Sequence, residues 1–437
     1  MLDINLIRTN PEQVKEQLLK RMDKVDFTEL LKLDDERRKL LKSNEDLRAK
    51  RNSVTNEIAI LKKAKDLATA ALKITLMQKV GDNIAKADKK IAKLETRIAE
   101  ILSAFPNIPA KEVIAGGKEA NKAVKTFGIK PNFTFEPKDH VELCTKLRLI
   151  DYERAATMSG SGTWLYRGMG ARLEWALLNY FVDFHVANGY ELVMPPHLLN
   201  YESGYAAGQF PKFCDDVFFV NMHKDVERNR FLLPTSETAL INMHRGEIIP
   251  EEQLPIKYAG ISPCYRKEAG GYGASERGMI RGHQFNKVEM FIFCKADKSE
   301  MHFEELVANA EKLVEGLGLH YQTMALAAGD CSAGMAKTYD IEVWIPSMGY
   351  KEVSSVSNAT DFQARRAGVR TKIVSHDCTD GVCKKNMTTS LVHTLNASGL
   401  ATSRLLPAIV EQFQNEDGTV IVPEVLQKYL GGVKVIG

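Results

Sequence analysis

No proline occurs between Pro11 and Pro106, and inside that span apolar residues return at every seventh position. Leu33, Leu40, Leu47, Val54 and Leu61 form one series, and Val80, Ala87, Leu94 and Ile101 form another, with Ile84, Ile91 and Ile98 on a second seam. A seven-residue repeat sustained this long sets a stripe of each helix against a partner, and with no proline neither helix is interrupted. A hairpin that leaves and re-enters one body turns near its midpoint. Residues 30–103 therefore predict two antiparallel helices of ~35 residues, each about 50 Å long, meeting around KAKDLAT with Asp66 capping the returning one. Residues 28–103 hold 18 Lys and Arg against 12 Asp and Glu, so the rod carries +6 in a chain of net +3. Arg37, Asn44 and Arg51 occupy second-seam positions of the first helix where apolar residues are expected, leaving a polar stripe. Such a rod serves either as a spacer or dimerising coiled coil with solvated charges, or as a basic feeler for a nucleic-acid backbone.

The remaining sequence is organised differently. PNIPAKEVIAGGKEANKAVKTFGIKPNF supplies prolines, a Gly-Gly pair and no sustained period, which marks residues 105–137 as a linker between an N-terminal domain (1–104) and a second domain (138–437). In the latter, helical patterns such as ARLEWALLNYFVDFHVANG alternate with β-rich runs such as KVEMFIFC and TYDIEVWIP. That alternation predicts an α+β domain on a mainly antiparallel sheet flanked by helices. With 437 residues, 44% of them hydrophobic, the chain can bury a large core. No apolar run approaches 18 residues and the first residues lack a secretory or transit pattern, so a cytoplasmic protein without membrane spans is expected. Seven scattered cysteines read as reduced thiols rather than a disulfide framework. There is no glycine-rich nucleotide fingerprint or Walker-type loop, so arginines must hold the phosphates of any bound nucleotide.

Three stretches carry a resemblance. GYELVMPP ends at Pro195-Pro196; CYRKEAGGYGASERGMIRGHQFNKVEMF reads as a strand-loop-strand hairpin; NASGLATSRLLPAIVE reads as a strand entering a helix, with Arg404 at the junction. In this order behind a helical hairpin, and with PTSE at 234–237 and EVSSVSNATDFQARR at 352–366, they resemble motifs 1, 2 and 3 of the seryl-tRNA synthetases, class II aminoacyl-tRNA synthetases of the common bacterial and eukaryotic type. The resemblance spans essentially the whole chain. It implies a homodimer that activates L-serine with ATP and Mg²⁺, then transfers serine to the 3′ end of tRNA(Ser), and of tRNA(Sec) where that is present. It also implies that the rod grips the long variable arm of the tRNA while motif 2 meets the acceptor end.

Residue by residue, the resemblance implies that Arg266 bridges the substrate carboxylate and the α-phosphate, a task suited to a planar fork of donors. Glu268 falls where the family contacts adenine, Arg281 where it binds the γ-phosphate, and Phe285 and Arg404 where it sandwiches the adenine ring. Lys267, Val353 and Ser354 complete the implied ATP set, and Glu352 and Ser355 match the Mg²⁺ ligands, hard oxygen donors of the kind magnesium takes. The implied serine pocket comprises Thr235, Ser236, Glu237, Glu289, Asn396 and Ser398. Thr235 and Glu289 hold the ammonium, and Glu237 and Ser398 meet the hydroxyl. No Cys/His ligand set accompanies these positions, so no catalytic metal other than magnesium is expected.

The sequence departs from the family pattern in places. The motif 2 loop reads Gly273-Ala274-Ser275-Glu276-Arg277-Gly278, one basic residue short of the usual run. TKIVSHDCTDGVCKKNMTTSLV is longer than usual and holds His376, Cys378 and Cys383, whose spacing fits no known metal site and reads as a surface loop. A paralogue that activates an amino acid for another acceptor, or that confers inhibitor resistance, is the alternative. Loss of the arm or of Arg266, Glu289 or Arg404 would favour departures of this kind, and all are present.

Overall fold

The computed structural model describes residues 1–221, 223–268, 277–379 and 382–437, without the side chains of 374–386. The chain separates into two compact units, Leu2–Phe105 and Pro106–Gly437, with Met1 counted in the second.

In the first unit, α1 (Thr28–Lys63) and α2 (Leu67–Ala104) pair along their length, 36 and 38 residues each. The Asp66 side chain accepts from the Thr69 backbone N–H at 3.1 Å, satisfying one of the donors that a helix start leaves open. The second helix stops before Phe105, whose extended backbone suits the residue preceding Pro106. Met77, Val80, Ile84, Ile91, Leu94, Ile98 and Leu102 of α2 are buried. Ile101 is only half-buried and Leu102 replaces it, because a 3.6-residue helix drifts against a seven-residue repeat. Two members of the polar stripe turn inward instead of lining the surface. Asn44 donates to Asp88 at 2.6 Å and Arg37 pairs with Glu95 at 3.3 Å, while Arg51 is exposed. Glu29–Arg97, Glu36–Lys90, Arg48–Asp88 and Glu57–Lys73 are ion pairs that run up one helix as they run down the other, fixing the antiparallel register.

In the second unit, eight of the described strands join one sheet. They are, in chain order, β1 (Lys122–Phe127), β2 (Glu191–Val193), β3 (Ile256–Tyr265), β4 (Gln284–Cys294), β5 (Tyr321–Ala325), β6 (Lys337–Ile345), β7 (Gly349–Thr360) and, after a separate hairpin of β8 (Arg370–Thr379) and β9 (Val382–Leu391), β10 (His393–Ala401). The spatial order is β1-β5-β6-β7-β10-β4-β3-β2, antiparallel throughout except for β2 beside β3. Two sequence expectations change here. Residues 105–137 contain β1, which pairs with β5 and forms the sheet edge; its six residues are all exposed, so no buried face marks it as a strand. The expected surface loop after Arg370 is the β8–β9 hairpin, in which Cys378 stands opposite Cys383 in register; the side chains of these residues and His376 lie outside the described set.

Three helices, α3 (Met169–Ala187), α4 (Ser299–Gly316) and α5 (Thr402–Gln412), bury their apolar stripes in one core with the sheet. Strand alternation then assigns the faces. Val288, Met290, Ile292 and Cys294 of β4 enter that core, as do Leu395 and Ala397 of β10. Phe285, Lys287 and Glu289 of β4, and Asn396 and Ser398 of β10, therefore project from the opposite face, where the polar residues gather.

Candidate active site

The polar face of the sheet forms the floor of a cavity of about 450 Å³ whose walls include Thr235, Glu237, Arg266, Lys287, Glu289 and Asn396. The 234–237 segment packs closely on Gly260 of β3, which stands opposite Glu289 of β4. A Cβ there would approach Ser236 and Leu240 to 3.0 Å. Thr235 and Glu237 line the cavity. Ser236 does not: it is wholly buried, its hydroxyl 2.7 Å from that of Ser262, because consecutive residues entering the helix Glu237–Leu240 point in different directions.

Glu289 is 1% exposed and accepts from Asn396 Nδ2 at 3.0 Å. Lys287 Nζ lies 2.5 Å from Glu289 Oε2 and 2.8 Å from Thr235 Oγ1. Glu237 accepts from Gln363 Nε2 at 2.6 Å, and Gln363 in turn accepts from Thr394 at 2.7 Å. Burial, reinforced by the neighbouring Glu289 charge, pushes the Glu237 carboxyl up to about 7, against the opposing pull of Lys287, Gln363 and Arg266. Ser398 lines the same cavity, and its carbonyl accepts from Ser354 Oγ at 2.6 Å. Ser354 is thereby turned away from the cavity that it was expected to serve.

A smaller adjoining recess is lined by Arg266, Glu268, Arg281, Phe285, Lys287, Glu352, Val353 and Arg404. The Arg266 guanidinium sits 5.2 Å from the centre of the Phe285 ring. Arg281 pairs with Glu268 at 3.3 Å, and Arg404 donates to the Glu352 carbonyl at 2.7 Å. Lys267 lines neither space; its backbone N–H donates to the Asp216 carbonyl at 2.9 Å. Residues 269–276, including Ala274, Ser275 and Glu276 of the altered motif 2 loop, lie outside the described set.

Glu352 and Ser355 are three apart on β7 and would face opposite ways in a regular strand. The register with β6 shifts between Ile341 and Glu342, so that Ser354 and Glu352 face consecutive partners and Val353 is the extra residue; the bulge brings Glu352 and Ser355 to the same cavity. Asp340 stands opposite Ser355 in that register, and its Oδ1 is buried without a hydrogen-bond partner. Burial and the nearby Glu352 charge hold the Asp340 carboxyl well above the usual carboxylate range. Among the described residues, no three or more His, Cys, Asp or Glu side chains stand together as a ready metal cluster.

Sequence reasoning missed Lys287, Gln363 and Asp340. Lys287 had a signal: it lies two residues from both Phe285 and Glu289, so alternation alone places it on their face. Gln363 and Asp340 are polar residues in stretches that read as ordinary helix and strand, and only the fold brings them to the site.

Residues 218–413 match the family model described as tRNA synthetase class II core domain (G, H, P, S and T), and residues 1–109 match the seryl-tRNA synthetase N-terminal domain. The chain is 53% identical over 436 residues to serine–tRNA ligase 2 of Clostridium acetobutylicum and 45% identical over 440 residues to serine–tRNA ligase of Geobacillus kaustophilus, covering 100% of each chain in both cases. Among solved structures, it is similar to seryl-tRNA synthetase from Pyrococcus horikoshii complexed with ATP, at 34% identity and a TM-score of 0.86, covering 100% of this chain and 99% of the other. With family models matching part of each unit and a relative 53% identical over the whole chain, this chain belongs to the seryl-tRNA synthetases, a class II aminoacyl-tRNA synthetase family.

Proposed function

We propose a division of labour in serine–tRNA ligation, in which the sheet-borne cavity makes seryl-adenylate and the basic arm brings the tRNA. The observation that carries the first part is the convergence of buried Glu237, Glu289 and Thr235 with Arg266 in one cavity. An amino acid brings an ammonium to the carboxylates and a carboxylate to the arginine. Thr235 and Glu289 take the ammonium, Asn396 holds the Glu289 carboxylate in place, and Glu237 and Ser398 meet the hydroxyl. Buried acids are costly unless they meet a cation or donor, so a substrate that supplies both is favoured. A site built to bond a hydroxyl rejects the analogue lacking it by ~10⁴ or more, and alanine is excluded without editing.

Activation brings two anions together, the serine carboxylate and the ATP α-phosphate. Arg266 spans both, and Arg281 takes the γ-phosphate; adenine lies between Phe285 and Arg404, with Glu268 at its edge. These side chains stabilise charge and fix the line of attack, which is most of what phosphoryl chemistry asks of a protein. Glu352 and Ser355, with the unpartnered Oδ1 of Asp340 close by, form an all-oxygen donor set that fits Mg²⁺. When bound, Mg²⁺ neutralises phosphate charge.

The arm is the tRNA-binding domain in this reading, its +6 excess facing the long variable arm of tRNA(Ser), and of tRNA(Sec) where present. The acceptor end enters past the motif 2 loop. Trp175 and Val186 on α3 and Leu192 and Met194 along and beyond β2 are 63%, 49%, 42% and 81% exposed, an apolar surface suited to the homodimer interface that motif 1 implies. No described helix is long and apolar enough to cross a membrane, and the same reading puts the protein in the cytoplasm. Serine-dependent ATP–pyrophosphate exchange followed by charging of total tRNA tests the proposal. Exchange stimulated by serine and not by alanine, with serine-accepting tRNAs charged, is expected; exchange with another amino acid, or serine activation without any tRNA charging, would overturn it.

A further inference from the structure

Lys287 has no place in the roles given above, yet it is at the centre of the site. Its Nζ pairs with Glu289 at 2.5 Å and donates to Thr235 Oγ1 at 2.8 Å, and its side chain is 6% exposed. These are the two groups that the proposed reading assigns to the substrate ammonium, and a lysine ammonium offers them the same chemistry as an amino acid's: a compact cation with three donors. A second observation gives Lys287 somewhere else to go. It lines the serine cavity together with Glu237 and Asn396, and it also lines the adjoining recess with Arg266, Phe285 and Arg404. A lysine has four rotatable carbons between backbone and charge, enough to carry Nζ from one space to the other without moving β4.

We infer that Lys287 is a built-in placeholder for the substrate ammonium: serine displaces it from Thr235 and Glu289, and the released cation turns into the nucleotide recess to meet the ATP phosphates. This inference rests on the proposed assignment of the two spaces. Its physical basis is that Glu237 and Glu289 are buried together in one cavity, and buried carboxylates are costly without a cation beside them, so one must stay there before substrate arrives. Exchange of one ammonium for another keeps that balance at every stage. It also converts amino-acid recognition into phosphate binding, because only a chain that has accepted an amino acid frees the lysine for the nucleotide. Binding of serine and of a nucleotide must then be coupled, and by linkage each raises the affinity for the other by the same factor.

The test uses the full chain and equilibrium binding by calorimetry, with serine and a non-hydrolysable ATP analogue as probes. In the wild type, saturating serine tightens binding of the analogue by about tenfold, within the usual range of such couplings. In Lys287→Met, and in Lys287→Gln as a neutral residue that can still hydrogen-bond Thr235, serine alone binds about tenfold more tightly because its competitor is gone. The coupling falls to nearly one, and kcat for exchange drops ~100-fold. Tighter binding with slower turnover is the signature, since a residue that only props up the pocket would weaken both. Weaker serine binding in both variants with the coupling unchanged would make Lys287 a plain counter-ion of Glu289 and overturn the inference. If neither variant folds, a wild-type coupling of one overturns it. Glu289→Gln separates the two levels: if it leaves serine affinity intact, the assignment of the ammonium site itself fails.

Discussion

Arg48 and Asp88 in the arm pair at 2.8 Å with 53% and 45% of their side chains exposed, whereas Lys287 and Glu289 on the sheet pair at 2.5 Å with 6% and 1% exposed. Both are ion pairs, but they do different work. In the arm, water and salt screen each pair, so no single one matters much and the helices are held by the apolar seam of α2. On the sheet, each charged group has a specific partner, and removing one leaves the other buried alone. Charge in the arm is a diffuse property that suits a long polyanion; charge in the body is a set of individual positions that suits a small zwitterion and a triphosphate.

Single substitutions should therefore act very unequally in the two regions. The largest effect is expected for Arg266→Ala, which removes the fork proposed to act on charge developing during activation: serine-dependent exchange should fall on the order of 10³-fold with the fold intact. Exchange near the wild-type rate would remove Arg266 from the chemistry. Next is Glu237, whose carboxyl is held at about 7 by burial and by Glu289. A folded-state value above the ordinary one means that the folded chain keeps a proton the unfolded chain has released, so stability falls as pH rises from about 4.5 through 7. Relative to Glu237→Gln, the serine-free wild type should lose up to roughly 3 kcal/mol between pH 4 and 8, read from urea midpoints. A gap that is flat with pH would show Glu237 to be ionised at little cost. The smallest effect belongs to the arm, where Arg48→Ala should cost less than about 1 kcal/mol and leave exchange unchanged. A loss comparable to that from a buried site residue would erase the contrast between the regions.

The same contrast explains what could be read from the sequence. The arm announced itself because a seven-residue period is local: Leu33 to Leu61, Val80 to Leu94 and Asp66 at the turn need no knowledge of the remaining chain, whereas the inward turn of Asn44 and Arg37 and the exchange of Ile101 for Leu102 were hidden. The sheet was legible as a class from its alternating runs. The candidate site was legible as a grouping as far as family-like motifs reached: Thr235, Glu237, Arg266, Glu268, Arg281, Phe285, Glu289, Glu352, Ser355, Asn396, Ser398 and Arg404 all line two adjoining spaces. What stayed hidden depends on orientation and on distant partners. Ser236 faces away because a helix starts there, Ser354 faces away by alternation from Ser355, and only a bulge lets Glu352 share the cavity with Ser355. Lys287 meets Thr235 across 52 positions, and Gln363 meets Glu237 across 126. β1 could not be recognised from burial because none of its residues is buried.

If the two regions serve separate steps, replacing residues 30–103 with a short flexible linker should part those steps. Exchange and charging are measured on the same preparation at two salt concentrations. Exchange should stay within about twofold of the wild type while charging falls by on the order of 100-fold or more at low salt, and the intact chain should lose tRNA affinity steeply as salt rises. Equal charging by the shortened and intact chains would contradict that separation and leave the arm a spacer.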